Sequence, residues 1–356
     1  MYFDVEPKSR REDLFDFEEE YLTLKNSILK GERIIVIKGI RRTGKTSLMK
    51  VVYNEIDAPK VFLDGRIITP RQGDILSILF EGSINAVTDY FLDLKIKDVL
   101  KELGISFGIN LRISMSTGLR SFEKLDEFLE NRNKKLILFL DEVQRLKAGN
   151  ISGIIAHLYE HTRNIVMVIA GSEVGLLDEI IGRDADSDLY GRPKRVIELG
   201  RLKREESIEF LKLGFAECKK KVDMLSLEEA VDVLDGIIGW LTLFGYYSMR
   251  YGIERSLEMV RKEGAKIVAK EIEHFLQLRK DARNRYLRIL EALATPLRWV
   301  EVKRILESME GREANDKMVS KYLRELMRYG FIEKREERYA IADPMIREGV
   351  IQVTRR

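Results

Sequence analysis

The chain has 356 residues, 45% of them hydrophobic and 34% charged, with 62 basic against 59 acidic side chains and a net charge of +3. That length exceeds one compact core and predicts two or three domains, while the apolar content excludes global disorder. The even charge balance gives no overall pull toward nucleic acid or an anionic membrane, and the lone Cys218 excludes an intrachain disulfide or a cysteine-built zinc site. A single cysteine suits a reducing compartment. The N-terminal segment lacks an apolar h-region, so no signal peptide is expected. No apolar run reaches the roughly 18 residues of a membrane span. A cytoplasmic protein is the expectation, and abundant Lys, Arg and Glu fits one built for heat.

Five short apolar runs read as strands: Arg33–Lys38, Lys60–Leu63, Leu136–Leu140, Ile165–Ala170 and Arg195–Leu199. Helical periodicity lies between them, as at Ser47–Glu55 and Gly153–His161. Strands alternating with helices predict βαβ units and a parallel sheet covered on both faces, the α/β class. Ile105, Phe107, Ile109, Leu111, Ile113 and Met115 alternate with smaller or polar residues and predict an extra strand or hairpin. From about Leu202 the strand signal ends, and Glu205–Ala216, Ser226–Leu234 and Gly252–Glu263 read as amphipathic helices. Three further helical stretches follow, Arg283–Ala294, Val300–Ser308 and Asp316–Tyr329. Two short strands then flank the charged turn Arg335–Glu337, namely Phe331–Lys334 and Arg338–Ile341. Three helices and a hairpin form the layout of a winged helix. The predicted domains are residues 1–201, 202–281 and 282–356.

The chemistry starts at Gly39, Ile40, Arg41, Arg42, Thr43, Gly44, Lys45 and Thr46, a full match to GxxxxGK[ST], with Ser47 opening the next helix. Gly39 lets the chain turn off its strand, and Gly44 lets backbone N–H groups approach phosphates. The helix N-terminus aims its dipole at them. Lys45 can reach the β- and γ-phosphates, and Thr46 can offer its hydroxyl to Mg²⁺. Downstream, an apolar strand ends in Asp141 and Glu142. Asp141 is expected to hold the Mg²⁺ shell, and Glu142 to orient and deprotonate the attacking water. The next strand ends at Ser172, which reads either as a sensor of the γ-phosphate or as a helix cap.

These residues resemble a known family. The phosphate loop, the strand ending Leu140-Asp141-Glu142 and the terminal Tyr339-Ala-Ile-Ala-Asp-Pro-Met are similar to archaeal ATPases of the STAND class, relatives of AAA+ ATPases. The resemblance runs from Leu14-Phe-Asp-Phe-Glu to the C-terminal hairpin. It implies an AAA+-like P-loop domain, a helical lid and a winged helix, with ATP or ADP and Mg²⁺ as ligands. It also implies that Phe15 and Asp16 lie near the adenine, with Phe17 where the family usually has Arg. Gly236-Ile-Ile-Gly-Trp-Leu resembles a lid motif whose proline packs near the base, so Ile238 is expected there instead. Gly191-Arg192-Pro193 resembles a segment that aims an arginine at the phosphates, which makes Arg192 a candidate charge stabiliser or a surface ion pair.

Other signals are weaker. His157 and His161 sit four apart, but the segment is not HExxH and shows no third ligand, so helix packing is the expectation. Trp240 and the pair Tyr246 and Tyr247 read as packing. Lys317, Lys321, Arg324 and Arg328 share one face of the last winged-helix stretch, a stripe that could meet DNA phosphates or lie in solvent. The expected function is an ATP-hydrolysing switch with slow turnover, because its output is a conformation. The alternative is a DNA-binding protein controlled by ATP. A metabolic kinase is disfavoured, because no acceptor pocket is apparent and two appended domains are. No segment names a protein client.

Overall fold

The computed structural model describes residues 1–68, 75–92, 94–103, 115–182 and 187–355. Five strands form a parallel sheet: β1 (Ile34–Lys38), β2 (Lys60–Asp64), β3 (Leu136–Asp141), β4 (Ile165–Gly171) and β5 (Arg195–Glu198). Their spatial order is β2-β3-β4-β1-β5. The three central strands are buried along their whole length. Their side chains alternate between two apolar cores, as a period of two requires. Ile35, Ile37, Phe139 and Val168 enter one, and Ile34, Val36, Leu138 and Met167 the other.

The second core is closed by α3 (Ile75–Tyr90), α4 (Ile96–Glu102), α5 (Met115–Glu130), α6 (Ile151–His161) and α7 (Val174–Ile180). The first is closed by α1 (Glu18–Lys30) and α2 (Lys45–Glu55), and continues into the C-terminal half. There α8 (Arg204–Glu217), α9 (Met224–Leu234), α10 (Ile238–Tyr251) and α11 (Ile253–Gln277) form the helical region. The winged helix follows: α12 (Arg283–Ala292), β6 (Leu297–Arg298), α13 (Trp299–Glu310), α14 (Asp316–Arg328), β7 (Ile332–Arg335) and β8 (Arg338–Ile341). A last helix, α15 (Met345–Thr354), returns onto α11, where a Cβ on Gly349 would meet Val268 Cγ1 at 2.9 Å.

The α/β sheet, helical region and winged helix agree with the expected architecture. Helix α11 runs far beyond the expected Glu263, because Val260, Ala265, Val268, Ala269 and Ile272 continue an apolar stripe that α15 covers. The hairpin turn is shorter than expected, since Arg335 pairs with Arg338 across Glu336 and Glu337. The extra strand expected from the alternation after Ile105 lies outside the described residues up to 114, and Met115 begins α5. No helix among the described residues is long and apolar enough to cross a membrane.

Candidate nucleotide site

Strand β1 delivers the chain to the loop at the sheet's C-terminal end. Gly39 there has φ 154°, and a Cβ would lie 2.3 Å from the Leu199 carbonyl oxygen, so only glycine fits between β1 and β5. Gly44 has φ 93° and caps α2, a left-handed conformation that suits glycine. The buried Lys45 Nζ donates to the carbonyls of Gly39, at 2.8 Å, and Ile40. Burial pulls its ammonium down to about 8, against the opposing pull of Glu142 and Asp141. Thr43 Oγ1 donates to the Ile40 carbonyl at 2.9 Å and closes the loop on itself.

Strand β4 lies between β1 and β3, so its end falls between the loop and the two acids. Thr46 Oγ1 donates to Asp141 Oδ2 at 2.7 Å. Asp141 is fully buried, and desolvation raises its carboxyl above the usual range despite the Thr46 bond. A buried carboxylate beside a threonine hydroxyl at a helix N-terminus is a donor set of hard oxygens, which fits Mg²⁺ held jointly with phosphates. Glu142 takes a left-handed φ of 49°, uncommon for a non-glycine residue and of the kind found at functional sites. Ser172 Oγ donates to Glu142 Oε2 at 2.8 Å.

Beside the loop is a cavity of about 460 Å³, within the range of small-ligand sites. Phe15, Phe17, Phe210, Ile238 and Leu243 supply apolar walls, and Arg41, Arg42, Gly44, Lys45, Thr46, Ser47, Arg66 and Glu142 line its polar end. Such a cavity can hold a flat base at one end and phosphates at the other. The N-terminal residues Asp4 to Lys8 form a further wall, and Lys8 N donates to Ser47 Oγ at 3.0 Å.

Two sequence expectations need correction. Asp16 is exposed and does not line the cavity, whereas Asp13, Phe15 and Phe17 on either side of it do. Arg192 precedes β5, so it lies at the opposite end of the parallel sheet from the loop, where it pairs with Glu160. The surface-pair reading of Arg192 is the one the geometry favours. Gly39, Ile40 and Thr43 shape the loop from behind rather than lining the cavity. His157 and His161 stack at 4.2 Å, and no group of three possible metal ligands occurs among the described residues.

The loop arginines hold a network that the sequence did not disclose. Arg41 donates to Glu173 Oε1 at 2.7 Å and to the Tyr329 carbonyl at 3.2 Å. Arg42 donates to Glu271 at 2.9 Å and to Asp343 Oδ2 at 3.3 Å, and lies 4.3 Å from the ring centre of Trp240. Trp240 Nε1 in turn donates to Asp343 Oδ1 at 2.9 Å. Asp343 is 7% exposed, and burial raises its carboxyl while Arg42 pulls it back down. Asp343 sits in the terminal motif and Trp240 in the lid motif. Glu271 lies in no motif and had no sequence signal.

A family model for the ATPase domain predominantly from Archaea matches residues 14–244, and one for the MCM protein C-terminal winged helix-turn-helix domain matches residues 280–342. No curated protein matches the chain significantly in sequence. Among solved structures, the chain is similar to the Walker-type ATPase PABY2304 of Pyrococcus abyssi, with 30% identity over 99% of this chain and 100% of that one and a TM-score of 0.77. The ORC2 protein of Aeropyrum pernix, in ADPNP–ADP complexes, shares the fold at 14% identity over 99% and 97% of the two chains, with a TM-score of 0.58. The ATPase-domain model and the Pyrococcus abyssi match support ATP binding and hydrolysis. With the glycine loop, the buried lysine and the paired acids in place, the chain belongs to the predominantly archaeal ATPase-domain family.

Proposed function

We propose that this protein is a Mg²⁺-dependent ATPase switch in which nucleotide state sets the position of the helical region and winged helix, in the manner of the STAND class its motifs resemble. The observation that carries this reading is the double engagement of the loop arginines. Arg41 and Arg42 line the nucleotide cavity and also bond to the lid through Glu271 and to the C-terminal unit through Asp343 and the Tyr329 carbonyl. Phosphates entering the loop compete for the same guanidinium groups, so binding and domain contact are energetically linked.

In this reading Lys45 and the loop N–H groups hold the β- and γ-phosphates, and Phe15 and Ile238 pack on the base. Thr46 and Asp141 hold Mg²⁺, which when bound neutralises phosphate charge. Glu142 accepts a proton from the attacking water, and Ser172 senses the γ-phosphate from the end of β4. Lys45→Ala is expected to abolish or greatly weaken nucleotide binding, and Glu142→Gln to keep binding but stop hydrolysis. Small-angle scattering and lid-to-sheet distances should differ among the free, ADP and ATP-analogue states. Identical profiles in all three would falsify the switch.

A second reading, ATP-controlled DNA binding, rests on α14. Lys317, Lys321 and Arg324 are exposed along it, while Arg328 is drawn to Glu179 of α7. Arg328 therefore leaves the expected basic stripe in this arrangement, and DNA contact would compete with docking on α7. Duplex binding at low salt, lost on changing Lys317, Lys321 and Arg324 to Glu, supports this reading; no binding at low salt removes it.

A further inference from the structure

Beyond the phosphate loop and the acids, one buried polar side chain at the site has no role in the reading above. Gln144 follows Glu142 by two residues, in the short 3-10 helix after β3, and is 7% exposed. Its Nε2 donates to Glu142 Oε2, the same oxygen that accepts the Ser172 hydroxyl at 2.8 Å. Nε2 also lies 3.4 Å from Ser172 Oγ, so Gln144, Ser172 and Glu142 close a three-membered ring of polar contacts.

Two features separate this from ordinary packing. Gln144 Oε1 is buried and has no hydrogen-bond partner. A leucine of similar volume would fill the same space without that loss, so the amide is costly unless its N–H groups are used. The chain also clears room for it: a Cβ on Gly171 would stand 2.6 Å from Gln144 Oε1. Gly171 ends β4 immediately before Ser172, so the two strand ends are shaped around this amide.

We infer that Gln144 is a positioning residue for hydrolysis, acting through Glu142. A carboxylate has about four acceptor sites on two oxygens. Two donors on Oε2 fix the carboxylate plane and leave Oε1 to accept the proton of the attacking water. Glu142 lines the nucleotide cavity, so a fixed plane there means a fixed direction toward the γ-phosphate. Ser172 alone would fix a point of contact but leave the carboxylate able to rotate about it; the amide supplies the second point. This inference rests on the reading of Glu142 as the base.

The test uses the full chain, with single-turnover ATP hydrolysis and the affinity for a fluorescent non-hydrolysable ATP analogue with Mg²⁺. Gln144→Leu is expected to keep the affinity within about twofold and lower the hydrolysis rate about tenfold or more, since a misdirected reacting group costs rate rather than binding. In a Glu142→Asp background, which keeps a carboxylate base but draws it back from the amide, the same change is expected to cost nothing further, because its effect passes through that contact. Gly171→Ala, which retains Gln144 but displaces its amide, should lower the rate in the same direction and covers the case in which Gln144→Leu does not fold. A wild-type rate in both variants overturns the inference. So does a parallel fall of rate and affinity, or an equal further loss in the Glu142→Asp background. If Glu142→Gln itself hydrolyses ATP normally, the base assignment fails and takes the inference with it. If Glu142→Gln stops hydrolysis while Gln144→Leu does not slow it, only the role of Gln144 is lost.

Discussion

At the scale of single residues, the site is governed by buried charge. Lys45 must be cationic to hold phosphates, yet burial draws its ammonium down to about 8. Raising the pH past 8 deprotonates the free protein, so ATP binding must then take up a proton. Affinity is expected to fall about tenfold per pH unit above 8, until the pH reaches the higher pKa of the phosphate-bound ammonium. Calorimetry in buffers of different ionisation heat would show the uptake, and a pH-independent affinity from 7 to 9.5 would contradict it. For folding the sign is opposite. Below about 8 the free fold bears a buried cation, and stability from this group rises between about 8 and the ordinary lysine value of 10.5, where only the unfolded chain is protonated. The glycines make a different residue-scale point. Gly39 and Gly44 were readable from spacing, but the space that each needs was not. At Gly39 it is set by the Leu199 carbonyl, 160 residues downstream, which β5 brings alongside β1.

At the scale of elements, the contact between α7 and α14 joins the ATPase sheet to the winged helix. Gly175 lies against the backbone of α14, where a Cβ would stand 2.5 Å from Arg328 Cα, and Arg328 pairs with Glu179 one turn further on. A backbone atom cannot move aside as a flexible side chain can. Gly175→Ala is therefore expected to push α14 off α7 and speed amide exchange in α14, with little change in the sheet. Unchanged protection of α14 would show that the two helices are not held together there. The helix-forming periodicity of α14 was plain, with Val319, Tyr322, Leu323 and Leu326 on its buried side. Its surroundings were not, since Arg328 looked like part of a solvent-facing stripe until α7 supplied an acid.

At the scale of the whole molecule, one apolar core runs from a face of the sheet through the lid to the winged helix. Trp240 lies within it, fully packed, with its indole N–H spent on Asp343. Trp240→Ala should cost about 3–5 kcal/mol of stability by the cavity that it leaves, read from denaturant unfolding. It should also release Arg42 from its ring contact and weaken the response of lid position to nucleotide. A double-mutant cycle with Arg42→Ala and Asp343→Asn measures the link directly. Coupling of about 0.5–3 kcal/mol between the two changes, read on ATP-analogue affinity, is expected for residues in one network. Additive effects would mean that the loop and the C-terminal unit do not communicate through this pair.

The sequence by itself determined the local features. Gly39 to Thr46, the acid-tipped strand and the helix-hairpin pattern near the C-terminus each depend on neighbours within a few residues, so spacing and residue type suffice to reveal them. It also marked the motifs holding Trp240 and Asp343 without showing that they meet. Tertiary structure alone decided which distant groups share a charge or a space. It set Arg192 at the far end of the sheet, turned Asp16 to solvent, gave Arg42 to Glu271 and Asp343, and brought Gln144 to Glu142 beside Ser172. Those pairings come from strand order and helix docking, in which β4 separates β1 from β3 and α15 folds back onto α11, and no periodicity along the chain encodes them.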